Sequence, residues 1–385
     1  MIKMEKLRIL VIFNSLMGVI GGGSRHIVEV VNYWIPTYEV TFLISNAGHE
    51  VAKEYIKPRQ NKHVIVYNTP FDYKKNIIVY VSRLLKSILL SLKLRQQKYN
   101  VVIAPNFLPQ NIVPTLFFKI RAKIVVYFHG GPPSLRKEEM RKRGTIQRII
   151  SVLNWEFCIF FARFFDLIFV VENTTKKYFI ERGFDPKRIT VVGNGIPFEQ
   201  ISKIEVDKKE YDGIFLGRLV PRKMRDLINV WKEVVKIIPD ARLCIIGDGP
   251  EREELEAQAN KYGLNIVLKG WVSDEDKYRL IKRSKVFVYP SYYESWGIVV
   301  AEALACGLPV VAYSQLAYKE VFGSSIIEVN VGDVKEMARK ISDILKDYIN
   351  YGDTAVERIE AVSRYDWREV ANYQLINMQN MIEKL

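Results

Sequence analysis

The stretch Val286–Ala312 reads VFVYPSYYESWGIVVAEALACGLPVVA, and it decides the fold. Val286–Tyr289 is a short apolar strand, ended by Pro290 and Ser291 because proline cannot donate to a sheet ladder. Tyr292, Tyr293 and Glu294 follow in a loop. From Gly297 the apolar spacing turns helical, through Ile298, Val299, Ala301, Ala303 and Leu304. Gly307 closes that helix as a left-handed cap, Pro309 stops it, and Pro309–Ala312 is another buried strand. A glycine-led helix start presents unpaired N–H groups and the positive end of a dipole, which suits a phosphate. Glu294 stands just before the helix and Glu302 about one and a half turns inside it. One carboxylate then reaches a group in front of the tip, the other a group beside the first turns. A nucleotide sugar has that layout: sugar hydroxyls, diphosphate, ribose hydroxyls. Taken alone, the spacing also fits a solvated loop charge followed by a helix surface charge.

Around this stretch, residues 211–364 alternate strands and helices at close spacing, which predicts a parallel sheet with helices on both faces. Ligands in such sheets bind at the C-terminal ends of strands. Arg218 follows the first of these strands and Lys223 comes five residues later. A guanidinium fork and an ammonium at one strand end suit a diphosphate, and cations at a helix start oppose its dipole, which weakens a plain surface role. Gly247-Asp248-Gly249-Pro250 reads as a tight turn feeding a helix. Asp274-Glu275-Asp276 opens a helix, where acids are favoured, and is not a metal motif.

PSYYESWGIVVAEALACGLPVVA resembles the signature of retaining glycosyltransferase family 4 (glycosyltransferases group 1), whose fold is GT-B. The resemblance implies α/β architecture: two Rossmann-like, doubly wound parallel-sheet domains facing a central cleft. It implies that Glu294 contacts the donor sugar, Glu302 the ribose, and the amides of Gly297, Ile298 and Val299 the diphosphate. Arg218 and Lys223 match the family's G-R-x4-K-G, with Met224 where glycine is usual, and would neutralise the leaving diphosphate. Trp271 and Val272 match the strand end that lines the base pocket. His129, at a strand end before Gly-Gly-Pro-Pro, matches a histidine near the donor sugar or acceptor hydroxyl; a lone histidine is otherwise often structural. Gly22 and Gly23, in a glycine cluster after the first strand, would line the donor side. The chemistry so implied needs no metal and no cofactor.

Two domains are also what 385 residues predict. The first is expected over residues 1–197, a linker over 198–210, the second over 211–364, and a last helix, 365–385, crossing back onto the first. Leu7–Phe13 is a buried strand, with Ser24 as N-cap of the next helix. Three widely spaced cysteines form no disulfide framework, so a reducing, cytoplasmic compartment is expected. No secretory signal and no spanning helix are expected.

The charge of +14 is uneven: residues 1–200 hold 30 Lys+Arg against 14 Asp+Glu, the remainder 27 against 29. A basic half beside a near-neutral half predicts that one domain faces something anionic. Lys74–Lys98, with seven basic residues and no acidic one, reads as an amphipathic helix, either docked on the core or lying on an anionic membrane. A basic loop, Ser134–Gly144, follows. Ile149–Val171 reads as a core helix and strand or as an interfacial helix.

The expectation is therefore a glycosyltransferase using a UDP- or GDP-sugar. Its acceptor would be a lipid-linked or membrane-surface glycan at the inner face of the cell membrane. The rivals are a nucleotide-sugar epimerase or hydrolase on the same fold, and a basic nucleic-acid-binding protein. Against the last, no nucleic-acid recognition motif is present.

Overall fold

The structure is a computed structural model and describes residues 7–14, 22–56, 62–69, 77–131 and 144–383. Gly18, Gly21 and most of the basic loop, residues 134–143, lie outside the described residues. The chain forms two compact units, one of Met1–Gly195 with Trp367–Leu385, the other Ile196–Asp366.

The first unit is a seven-stranded parallel sheet. Its strands are β1 (Arg8–Phe13), β2 (Glu39–Ser45), β3 (Lys62–Tyr67), β4 (Val101–Ala104), β5 (Lys123–Phe128), β6 (Leu167–Val170) and β7 (Ile189–Val191), in the order β3-β2-β1-β4-β5-β6-β7. Parallel strands covered on both faces read as unbroken apolar runs, and RILVIF is one. Side chains alternate across the sheet: Ile9, Val11 and Phe13 enter one core with the helix Gly22–Trp34, while Leu10 and Ile12 enter the other. The second core also takes in Leu94, Ile112, Trp155 and Ile159, so the helices Ile77–Leu94, Pro109–Leu116 and Thr145–Ala162 share one side of the sheet.

The last helix, Trp367–Glu383, covers the first core. Trp34 Nε1 donates to Ala371 O at 3.0 Å, and Tyr127 Oη to Gln374 Oε1 at 2.7 Å. Ser24 is not an N-cap, because the helix already begins at Gly22. The reason is a tertiary contact: a Cβ on Gly23 would lie 2.7 Å from His129 Cγ, so a glycine at 23 lets the helix start against that ring.

The second unit is a six-stranded parallel sheet. Its strands are β8 (Tyr211–Leu216), β9 (Leu243–Ile246), β10 (Ile266–Gly270), β11 (Ser284–Tyr289), β12 (Val310–Tyr313) and β13 (Ile327–Val329), in the order β10-β9-β8-β11-β12-β13. The segment read as a linker holds a short helix, Phe198–Ser202. Cys158, Cys244 and Cys306 are free and buried, and burial pushes each thiol up to about 12. No described helix is long and apolar enough to cross a membrane.

Candidate active site

In the second unit strand order reverses between β8 and β11. The loops leaving two such strands diverge and leave a crevice at their carboxyl ends. The loop after β8 carries Arg218 and leads to Pro221–Met224; the loop after β11 carries Ser291–Glu294. They are tied together: Tyr292 N donates to Arg222 O at 2.9 Å, and Tyr292 and Tyr313 both donate their hydroxyls to Asp226.

Lys223 and Glu294 meet there. Lys223 Nζ lies 3.3 Å from Glu294 Oε1 and donates to Tyr289 Oη at 2.9 Å. Tyr289 and Ser291 each donate to the same Oε1, at 2.8 and 2.9 Å. Gln315 fixes the backbone, accepting from Glu294 N at 3.0 Å and donating to Ser291 O at 2.7 Å. Burial pushes the Glu294 carboxyl up, but the Lys223 and Arg222 charges and the Tyr289 and Ser291 hydrogen bonds outweigh it, so it lies below its ordinary value. Burial, then Glu294, holds the Tyr289 phenol well above its ordinary value, so it is a donor at any working pH.

The helix Ile298–Ala305 follows, led by Gly297 at φ 94°. That is a left-handed conformation, and a Cβ there would come 2.8 Å from the Tyr318 ring, so only glycine fits. No side chain caps the helix, which leaves its first amides without intrahelical acceptors. Beside Gly297, Tyr318 Oη is buried with no hydrogen-bond partner among the described residues.

Glu302 is fastened as Glu294 is. Lys277 Nζ and Tyr278 Oη both donate to its Oε1 at 2.8 Å. For both glutamates every bond falls on Oε1, and neither Oε2 bonds to a described residue. Each carboxylate is thus oriented by one oxygen and keeps the other as an acceptor.

Arg218 is exposed, and Trp271, 68% exposed, follows Gly270 at φ 65°. Val272 is half-buried. Gly247 and Gly249 serve close packing: a Cβ on either would come within 2.1 and 2.3 Å of Gly217 O and Leu219 O, the backbone that carries Arg218. In this unit sequence reading missed Tyr289, Ser291, Gln315, Lys277, Tyr278 and Tyr318. Each is an ordinary strand, turn or helix residue, and for Gln315, Lys277 and Tyr278 the partner lies on another element, so spacing carried no signal.

His129 lies in the first unit, at the end of β5. Its ring packs against Gly23 and stacks on Tyr127 at 5.7 Å, with His26 edge-on at 5.0 Å. Burial drives its pKa down to about 4 against hydrogen bonds involving Asn194 and Pro105 that raise it, so it is neutral near pH 7. His26 is buried and shifted down too, by burial and then by His129, and shares a 2.9 Å contact with Gln374. Gly22, Gly23 and His129 therefore form one neighbourhood in this unit. Where its own strand order reverses, between β1 and β4, stands Asn14: its N–H donates to Asn111 Oδ1, its Nδ2 to Gln110 O, and it accepts from Tyr67 Oη at 2.6 Å.

Known families match both units. The model for Glycosyl transferases group 1 matches residues 198–361, and that for Glycosyltransferase Family 4 matches residues 20–200. The sulfoquinovosyl transferase of Arabidopsis thaliana is 32% identical over 160 residues, 40% of this chain and 30% of that protein. A phosphatidyl-myo-inositol mannosyltransferase of Mycobacterium leprae is 34% identical over 164 residues, 41% of this chain and 44% of that protein. The chain thus spans less than half the length of each of these relatives. Among solved structures, Anabaena HepE in complex with UDP superposes with a TM-score of 0.73 at 16% identity, over 97% of this chain and 100% of that one. At that identity the likeness speaks for the fold, which is GT-B: two Rossmann-like parallel-sheet domains.

Proposed function

The chain belongs to the group 1 and family 4 glycosyltransferases, and on that premise we propose that it moves a sugar from a UDP- or GDP-sugar onto an acceptor hydroxyl. The acceptor is a lipid-linked or membrane-surface glycan, at the cytoplasmic face. The observation that carries the reading is the fastening of Glu294 and Glu302 by one oxygen each, on either side of a glycine-led helix start.

The second unit takes the donor. Glu294 Oε2 accepts from a sugar hydroxyl and Glu302 Oε2 from a ribose hydroxyl, while the amides of Ile298 and Val299 and the hydroxyl of Tyr318 donate to the diphosphate. Trp271 and Val272 meet the base. The bond between the anomeric carbon and the phosphate oxygen breaks, and the acceptor oxygen bonds to the same face. Its proton passes to the leaving phosphate, and bonding on the face that the phosphate leaves retains the configuration. Negative charge builds on the leaving group, and Lys223 and Arg218 stabilise it; one such donor is worth on the order of a hundred- to a thousandfold in rate. No metal is required. His129, neutral, serves as a polar contact on the acceptor side, and the surplus of base in residues 1–200 supports an acceptor held at an anionic surface.

The test is donor screening by thermal shift over UDP- and GDP-sugars, then transfer of labelled sugar to membrane-extracted lipid. One donor should raise the melting temperature and its label should enter the lipid fraction. Free sugar or an epimer forming equally fast without acceptor would replace this reading with a hydrolase or epimerase. A salt-sensitive nucleic-acid gel shift with no donor binding would replace it with a nucleic-acid-binding protein.

A further inference from the structure

Two helices of the first unit carry their apolar side chains on the wrong side for a protein surrounded by water. In Ile77–Leu94 the buried series is Val79, Arg83, Ser87, Ser91 and Leu94, and the exposed series is Ile78, Val81, Leu85 and Leu89. Three of the five inward positions are polar, and these four outward ones are large and aliphatic. Sequence reading allowed the apolar stripe to face the core; the stripe faces out instead. In Thr145–Ala162, Trp155, Cys158, Ile159 and Ala162 fill the core, and Ile146, Ile149, Ile150, Leu153, Phe157 and Phe160 stand exposed in a second stripe. Between these helices packs Pro109–Leu116, followed by Phe117 and the 97% exposed Ile120. Exposed apolar side chains in this number on two neighbouring helices mark a surface meant to be covered.

Charge identifies what covers it. Residues 77–131 contain eight Lys+Arg and no Asp or Glu, and Arg148 adds a further cation. Lys86, Lys93, Arg95, Lys98, Arg121 and Arg148 are exposed. The lone carboxylate on either helix, Glu156, is held by Arg182 at 2.7 Å. An apolar stripe edged with bases and free of unpaired acids fits an anionic bilayer, with apolar side chains below the headgroups and cations among them. Each helix is about 27 Å long by its rise, and 18 residues in length.

We infer that the first unit seats on an anionic lipid bilayer through the outward faces of Ile77–Leu94 and Thr145–Ala162, by insertion of apolar side chains as well as by charge. The inference rests on the membrane-acceptor reading above and makes it specific: an acceptor hydroxyl on a lipid-linked glycan is reached with the enzyme in the interface.

The experiment is co-sedimentation of the full chain with vesicles of phosphatidylcholine, with and without phosphatidylglycerol, at low salt and at about 1 M salt, where the screening length is about 3 Å. Two variants accompany it. Leu85→Ser/Leu89→Ser/Leu153→Ser/Phe157→Ser removes the apolar face, and Lys86→Ser/Lys93→Ser/Arg148→Ser removes charge. Binding to anionic vesicles should survive high salt to within about tenfold. The apolar variant should lose on the order of a hundredfold in partitioning at both salts. The charge variant should lose binding chiefly at low salt. An unchanged donor thermal shift in the apolar variant shows that it is folded. Complete release of the wild type by salt, or wild-type binding by the apolar variant, overturns the inference. So does a lipid-free dimer that the apolar variant dissolves, since the face would then serve a second copy. Salt-resistant vesicle binding with no sugar transfer would uphold the seat and remove the acceptor reading instead.

Discussion

The two sheets reverse strand order in the same way, and they fill the reversal with opposite chemistry. In the first unit Asn14 sits between β1 and β4 in a neutral amide and phenol network with Tyr67, Gln110 and Asn111. In the second, Lys223, Tyr289 and Glu294 stand between β8 and β11 as a charged, hydrogen-bonded triad. Amides and a phenol bond to one another without carrying net charge. An ammonium and a carboxylate joined through one oxygen stay oriented while keeping charge and an acceptor in reserve. Topology supplies the crevice twice, and side-chain chemistry makes the second one charged.

The comparison breaks first at the triad. Lys223→Ala and Glu294→Ala should each lower kcat/KM for transfer by about a hundred- to a thousandfold; near-normal turnover in both would remove the site. Next, Lys277→Met leaves Glu302 buried without its cation and should cost about 3 kcal/mol in urea unfolding, besides weakening discrimination between ribose and 2′-deoxyribose donors. If stability falls and ribose discrimination does not, Glu302 is structural only.

The neutral side is sharpened by pH. The His129 pKa is lowered to about 4 from an ordinary 6.5, so between those values the unfolded chain binds the proton and the folded one does not. Stability therefore falls as pH drops through that window, by up to about 3 kcal/mol from this group, and His129→Asn should flatten the slope. The same shift predicts no inflection near pH 6.5 in kcat/KM from His129. Asn14→Ala should cost about 1–3 kcal/mol by removing the side-chain bonds to Gln110 O and from Tyr67 Oη, with donor affinity unaltered. Smallest is Tyr289→Phe, which loosens Glu294 without deleting a charge. A drop of about tenfold in kcat, with stability changed by about 1 kcal/mol, separates a positioning role from a packing one.

Much of this site was legible along the chain. Glu294, Gly297 and Glu302 lie within one loop and helix, where local spacing fixes relative placement. Lys223 was named for its place at a strand end, and its meeting with Glu294 came only from the pairing of β8 with β11. Tyr289 read as the last apolar residue of a strand, and nothing local says that its hydroxyl bridges an ammonium and a carboxylate. Lys277 stood in an acid-rich helix start, where a lysine looks solvated, yet it is buried on Glu302. For Ile77–Leu94 the sequence left open whether the apolar stripe meets the core or a membrane, because periodicity shows that a helix has two faces but not which one the sheet covers.

By itself the sequence determined two α/β units, the glycine-led helix start and the carboxylates beside it, because hydrophobic period, caps and short-range spacing are properties of neighbouring residues. Only the tertiary structure decided which oxygen of each glutamate is held and which helix face stays uncovered. It also decided that His129 is neutral against Gly23. Those outcomes depend on burial and on partners far apart in the chain, and desolvation and pairing act through space.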